Sequence, residues 1–405
     1  MTGVIGLDLQ HSRSMIVLRE GEGVRTVLAP VGDGIRYAVP NACDDQGRWG
    51  SAAAEASLVS CGDPGSAPAA ADLLCWRRSP WSEQFLRGLH ARLTGYLGQV
   101  APTPPNGYRV VVSVLPSATA SDGEPPPTDL RKRCAAAGLT DVATVDPTDA
   151  LLCRWLTEPD PGGTPWEASP AVVAVVCGET WTSAAAYRIE GGRVRRARTY
   201  PETVATGTGT WCTELALQVL ARCRPGVPAT AVLALLDGVG EFATGLRGTD
   251  ADRALEWSGP LADRMYAPLR LTRRELLARQ EIRAASGTVA ALVSRAVTAL
   301  AGDGREAGRP LILVGGCGAS WPFLGDALTP FGTVRQSSAP CRDLAAGAAW
   351  WPLLRTRFDT TRPAAATRPG ASTGIPSSAR SPERRTEPAA TRTSGHDDVP
   401  PWLRP

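Results

Sequence analysis

Asp8 stands inside an otherwise apolar run, Val4-Ile5-Gly6-Leu7-Asp8-Leu9. A carboxylate in such a strand costs several kcal/mol unless something compensates it. A magnesium ion or its water shell is a common partner, so Asp8 is a candidate metal-organising group. The turn after it, Gln10-His11-Ser12-Arg13-Ser14, offers backbone N–H groups and hydroxyls to a phosphate, Ser12 among them. Asp146-Pro147-Thr148-Asp149 has the form of a helix start, with Asp146 at the N-cap and Pro147 at the first helical position. Gly315-Gly316-Cys317-Gly318 follows the apolar run Leu311 to Val314. Glycines there let a ligand come close to the backbone, often at a helix N-terminus.

The rest of the composition removes other chemistries. The ten cysteines contain no C-x-x-C, and most sit among apolar neighbours, as reduced thiols of an intracellular protein do. With His11, His90 and His396 the only histidines, a zinc site lacks ligands. Lys132 is the single lysine, which excludes lysine chemistry elsewhere. A net charge of +3, from 43 basic and 40 acidic residues, is too balanced for a nucleic-acid or anionic-membrane partner. The N-terminus has no charged n-region, and Asp8 interrupts its apolar stretch, so no signal peptide is expected. No run of about 18 apolar residues occurs, so no membrane span is expected and the chain is placed in the cytoplasm.

The elements that must position these residues alternate between strand and helix. Val4 to Leu9 and Met15 to Leu18, closed by Glu20-Gly21, predict a hairpin. Arg109 to Leu115 predicts a strand ended by Pro116, and Thr128 to Ala137 a helix stopped at Gly138. Val172 to Cys177 and Ala184 to Ile189, followed by Gly191-Gly192, predict a second hairpin. Thr272-Arg273-Arg274-Glu275 is a capping box that predicts the start of one long helix carrying Val289, Leu292, Val293, Ala296, Val297 and Leu300. Gly62 to Ala71 reads as a surface loop. From Asp359 onward the chain is rich in Pro, Ala, Thr, Ser and Arg, which cannot bury enough apolar surface to order itself. Its end, Val399-Pro400-Pro401-Trp402-Leu403, is an apolar island of the kind a protein partner could dock.

The first hairpin recurs about 170 residues later, one copy in each half of the ordered chain. A strand–turn–strand unit repeated in this way predicts a duplicated α/β fold with a ligand between its halves.

Taken in order, these pieces resemble the nucleotide-binding domain of the DnaK-type heat-shock chaperone family. Val4 to Leu9 matches that family's first phosphate motif, and Val111 to Pro116 resembles its "ITVPA" strand. Ala135-Ala136-Ala137-Gly138-Leu139 is similar to "IAGL", and Asp146 to Leu151 to the Glu-Pro-Thr-Ala-Ala segment. Leu271 to Leu276 is similar to "VTRAKLE", Leu313 to Gly316 to the adenosine motif, and Ala345 to Ala349 to the closing "A-x-GAA". The resemblance covers nearly all of residues 1–355. It implies a duplicated actin-like, ribonuclease-H-like ATPase fold of two lobes with a nucleotide cleft between them. The lobes are expected at 1–170 and 171–355, followed by a disordered tail at 356–405. No peptide-binding half is expected after them.

By the same resemblance the cofactor is ATP or ADP with Mg²⁺. Asp8 organises the metal and Asp146 stands at the catalytic glutamate position. Ser12, Gly178, Gly207 and Gly209 face phosphate, Gly315 and Gly316 lie under the nucleoside, and Trp321 is placed to stack on a base. The departures bear on activity. Gln10-His11-Ser12-Arg13 stands where the family has Gly-Thr-Thr-Asn, and Val176-Cys177-Gly178-Glu179-Thr180-Trp181 where it has Asp-x-Gly-Gly-Gly-Thr. Val176 thus occupies a metal-aspartate position, Glu179 puts negative charge at a phosphate, and only Arg77 or Arg78 could replace the family's lysine. Phosphoryl transfer is mainly positioning and electrostatics, so these losses weaken turnover first. Three functions follow: a divergent DnaK-like ATPase, a pseudo-ATPase serving as an interaction scaffold, or a small-molecule kinase on the same fold.

Overall fold

The computed structural model describes residues 3–9, 13–21, 23–26, 38–40, 42–61, 82–100, 107–115, 127–157, 170–198, 201–247, 249–301, 308–319, 321–337 and 340–359. All of them belong to one compact unit, Met1–Thr360, and the second unit, Thr361–Pro405, lies outside the described residues. So do Gln10, His11, Ser12, Gly62 to Ala71, Arg77, Arg78 and the Val399 to Leu403 island.

The chain is mixed α/β. The first sheet holds β1 (Val4–Leu9), β2 (Arg13–Glu20), β3 (Gly23–Thr26), β4 (Ala38–Pro40), β5 (Arg109–Ser113) and β6 (Val142–Val145). Its order is β3-β2-β1-β5-β6, with β4 paired to β2. β1, β2 and β3 run antiparallel, whereas β1, β5 and β6 are parallel. The second sheet begins with β7 (Ala171–Cys177), β8 (Thr182–Glu190), β9 (Arg193–Arg196) and β10 (Glu202–Val204). After a separate ribbon of β11 (Ala254–Glu256) and β12 (Arg270–Thr272), it is completed by β13 (Leu311–Gly315), β14 (Thr333–Gln336) and β15 (Phe358–Asp359). Its order is β14-β13-β7-β8-β9-β15, with β7, β8 and β9 antiparallel and β7, β13 and β14 parallel.

The same strand order therefore occurs twice. The register repeats as well: Leu9 pairs with Ser14 across the first hairpin as Cys177 pairs with Thr182 across the second. Asp8 lies beside Ser113, and Val176 beside Gly315. Both predicted hairpins form, and Val176 takes the place in the second copy that Asp8 takes in the first.

Helices α1 (Ser51–Cys61), α2 (Glu83–Val100), α3 (Pro127–Ala136) and α4 (Pro147–Thr157) belong to the first half, and α5 (Thr208–Leu220), α6 (Ala229–Arg247), α7 (Arg273–Ala278), α8 (Gln280–Ala301), α9 (Pro322–Leu328) and α10 (Asp343–Leu354) to the second. β1 and β7 are buried along their whole length because both faces are covered. On one side of the first sheet, Ile5, Leu7, Val110 and Val112 meet Phe85, Leu86 and Leu89 of α2. On one side of the second, Val173 and Val175 meet α5, α6, α8 and α9. The other faces meet α4 and α10: Leu151 and Leu152 pack with Val172, Ala174 and Val176, and Ala345 and Ala349 with Val4, Val17 and Val111.

Local signals explain most helix ends. Gly138, at φ +96°, turns the chain after α3. Thr148 N donates to Asp146 Oδ1 at 2.8 Å, the N-cap bond expected for α4. The capping box forms: Glu275 N donates to Thr272 Oγ1 at 3.0 Å and Thr272 N to Glu275 Oε2 at 2.8 Å. It opens a short α7, not the single long helix predicted. The chain becomes extended at Arg279 (ψ 139°) before α8 begins, and the Arg279 guanidinium is held by Glu214 and Gln218 of α5. By length and composition alone α8 could cross a membrane, yet its Val289, Leu292, Val293 and Leu300 are core residues.

Candidate functional site

The C-terminal ends of parallel strands are where open α/β sheets hold ligands, and the first sheet brings Asp8 and Ser113 to adjacent strands there, with Asp146 one residue past β6. Asp8 points to the same face as Gly6, because alternate residues of a strand share a face. That is the face α10 covers, since a Cβ on Gly6 would stand 1.9 Å from the Ala345 carbonyl oxygen. Asp8 is 5% exposed. Beside it the buried Ser113 hydroxyl has no hydrogen-bond partner, a cost that a bound polar ligand would relieve.

Asp146 is engaged by its own protein. Its Oδ1 accepts from Thr148 N and Thr148 Oγ1 (2.5 Å) and lies 3.6 Å from the Arg196 guanidinium. Arg196, from β9, makes its closer pair with Asp149 at 2.6 Å. The Tyr187 hydroxyl, from β8, donates to Asp149 Oδ1 at 2.8 Å and lies 2.7 Å from Thr148 Oγ1. Burial pushes the Asp149 carboxyl up to about 6, Arg196 opposes the shift, and the Asp146 charge adds to it. The first turn of α4 is thus clamped to the second sheet. Asp146 Oδ2 remains buried and without a hydrogen bond.

In the second half, the predicted glycines do come together. The turn from Gly178 to Trp181, the start of α5 and the loop after β13 meet at one place. There Thr208 N donates to the Gly178 carbonyl at 3.0 Å, Gly209 N to the Glu179 carbonyl at 2.8 Å, and Gly318 N to the Cys177 carbonyl at 3.0 Å. A Cβ on Gly207 would stand 2.3 Å from the Glu179 carbonyl oxygen. A Cβ on Gly316, at φ +81°, would stand 2.6 Å from that of Cys177. These glycines admit neighbouring backbone. Gly178 lies against the Trp181 ring, and Gly315 against Leu151 and Asp343.

Trp321 is 1% exposed and packs edge-on against Trp211 at a centroid distance of 5.3 Å. A base could stack on it only by displacing the core around Trp211 and Phe323. Ser12 lies outside the described residues.

Sequence reasoning missed Tyr187 and Arg196. Nothing along the chain links β8 and β9 to the start of α4, and Arg196 stands in the run Arg193-Val194-Arg195-Arg196, which reads as a solvated edge. It also missed Arg154 of α4, whose Nε lies 3.3 Å from Asp343 Oδ1 of α10, both side chains being buried. No protein-family model matches this chain, and no curated protein matches it.

Proposed function

We propose that this chain is a degenerate member of the actin-like (ribonuclease-H-like) ATPase class, related to the DnaK nucleotide-binding domain, that works in the cytoplasm as a non-hydrolysing interaction scaffold. The strand order used twice, with α4 and α10 against the facing sides of the two sheets, supports the fold assignment. One observation carries the loss of turnover. The N–H groups of Thr208 and Gly209, which a phosphate would need, are already given to the carbonyls of Gly178 and Glu179.

The residues of this half do not fit a magnesium nucleotide. Val176 replaces the second carboxylate, Glu179 is buried at 8% exposure, and Gly207 offers no open cradle. On the other half Asp146 is tied through Oδ1 to Thr148 and Arg196, which removes the freedom a water-orienting base requires. The Val399 to Leu403 island would be the scaffold's docking peptide.

A second reading, nucleotide binding without turnover, is favoured by Asp8 beside the unsatisfied Ser113 hydroxyl. Calorimetric titration with ATP, with and without Mg²⁺, separates the two. Heat that saturates only with Mg²⁺ and vanishes in Asp8→Asn would support the second reading. No heat at millimolar ligand supports the first. Hydrolysis above the buffer rate that is lost in Asp8→Asn would overturn both and restore an ATPase.

A further inference from the structure

Cys317 and Cys341 lie on different loops of the second half, one after β13 and one before α10. Those loops meet at Asp343. A Cβ on Gly315 would stand 2.9 Å from Asp343 Oδ2. Ser337 donates through its hydroxyl to Asp343 Oδ1 at 2.7 Å and through its backbone N–H to the Val314 carbonyl at 3.1 Å. Cys317 is two residues past Gly315, and Cys341 two residues before Asp343. The two loops are therefore neighbours at this junction, and a disulfide between them would need Cα atoms about 4.4–6.8 Å apart.

The two thiols differ in access and in chemistry. Cys341 is exposed and Cys317 partly buried. Cys317 Sγ lies 3.4 Å from Thr208 Oγ1 and 3.7 Å from the Cys177 carbonyl oxygen. Burial pushes its ionisation well up, and next in size is the negative charge of a Cys341 thiolate, with Glu179 and Asp8 adding to it. Cys317 is therefore a poor first nucleophile, and Cys341 is the thiol that solvent reaches.

We propose that Cys341 is a site of oxidation by hydroperoxides and that Cys317 resolves it, joining the two loops by a disulfide. In the first step the Cys341 thiolate sulfur bonds to one peroxide oxygen and the O–O bond breaks. The other oxygen takes a proton and leaves as water or an alcohol, so the sulfur loses the two electrons that the peroxide gains. Cys341 is then a sulfenic acid without the thiolate charge, which lifts the electrostatic penalty on Cys317. The Cys317 sulfur attacks Cys341, the S–S bond forms, and the sulfenic oxygen departs as water with the Cys317 proton.

The bridge would fix the loop from Gly316 to Gly318, already bonded to Cys177, onto the start of α10. Because α10 packs against both α4 and β1, oxidation would bind the candidate site to the helices between the sheets. The pair works whether or not a nucleotide binds.

The test treats the reduced full chain with one equivalent of hydrogen peroxide, quenches with an alkylating agent and maps cysteine peptides by mass spectrometry. The expected product is a peptide joining Cys317 to Cys341. In Cys317→Ser, Cys341 should persist as a sulfenic acid that dimedone captures, and in Cys341→Ser, Cys317 should stay reduced. Pairing of Cys341 with another thiol overturns the proposal. So does oxidation of Cys317 in Cys341→Ser at the rate seen in the unsubstituted chain. A Cys341 that resists peroxide while Cys43, Cys212 or Cys223 reacts overturns it as well.

Discussion

Gly347 of α10 crosses α4 against Ala150 so closely that a Cβ on Gly347 would stand 1.7 Å from the Ala150 carbonyl oxygen. On its other side α10 meets β1 at Gly6. The stretch Ala345-Ala346-Gly347-Ala348-Ala349 is thus small because α10 is pressed between α4 and the first sheet. No ligand is needed to explain its glycine.

Gly347→Ala should therefore destabilise the chain by about 2–3 kcal/mol through overpacking. Gly287→Ala, on the exposed side of α8 with nothing within 4 Å of the added carbon, should instead stabilise it by about 0.5–1 kcal/mol, as removing glycine from a helix interior does. Urea unfolding of both variants checks the pair. Equal changes would mean that the crossing is looser than the packing implies.

Gly207 makes the same distinction at the candidate site. Its backbone is extended (φ −157°), so alanine suits its conformation, but the added carbon would meet the Glu179 carbonyl. Gly207→Ala should lower stability by about 1–3 kcal/mol and leave nucleotide affinity unchanged. Denaturant unfolding and ATP titration of that variant provide the two readouts.

Arg154 and Asp343 form a buried ion pair between α4 and α10. Arg154→Met removes the guanidinium beside a buried carboxylate and should cost about 3–5 kcal/mol. Adding Asp343→Asn to that variant removes the buried negative charge while an amide oxygen can still accept from Ser337. The double variant should recover part of the loss. A double-mutant cycle on unfolding free energies measures it.

The hairpins, the α4 cap and the Thr272–Glu275 box were legible because each is set by neighbours along the chain. Short-range patterns also marked Asp8 and the glycines, but not what faces them. That Gly207 accommodates the Glu179 carbonyl, or that Trp321 is buried against Trp211, depends on how distant segments meet. The break at Arg279 was hidden for the same reason, since no proline or glycine marks it and its partners are on α5. Asp146 shows the limit most clearly. Its capping role could be read from Asp-Pro-Thr, while Arg196 reaches it, and Tyr187 the adjoining Thr148 and Asp149, only once β8 and β9 pack over α4.

That clamp gives a pH dependence with a definite sign. Asp149 has a folded carboxyl pushed up to about 6, chiefly by burial. An unfolded aspartate titrates near 3.9, so between those values the folded state binds more protons than the unfolded one. The contribution from Asp149 is fully present below about pH 4 and is lost as pH rises through about 6, with a slope of at most about 1.4 kcal/mol per pH unit. Asp149→Asn keeps an acceptor for Tyr187 and should remove that slope while leaving the rest of the profile in place. Urea unfolding of both proteins at intervals from pH 4 to pH 7 tests this. A difference between them that does not vary with pH across that range would mean that Asp149 remains ionised against Arg196 throughout.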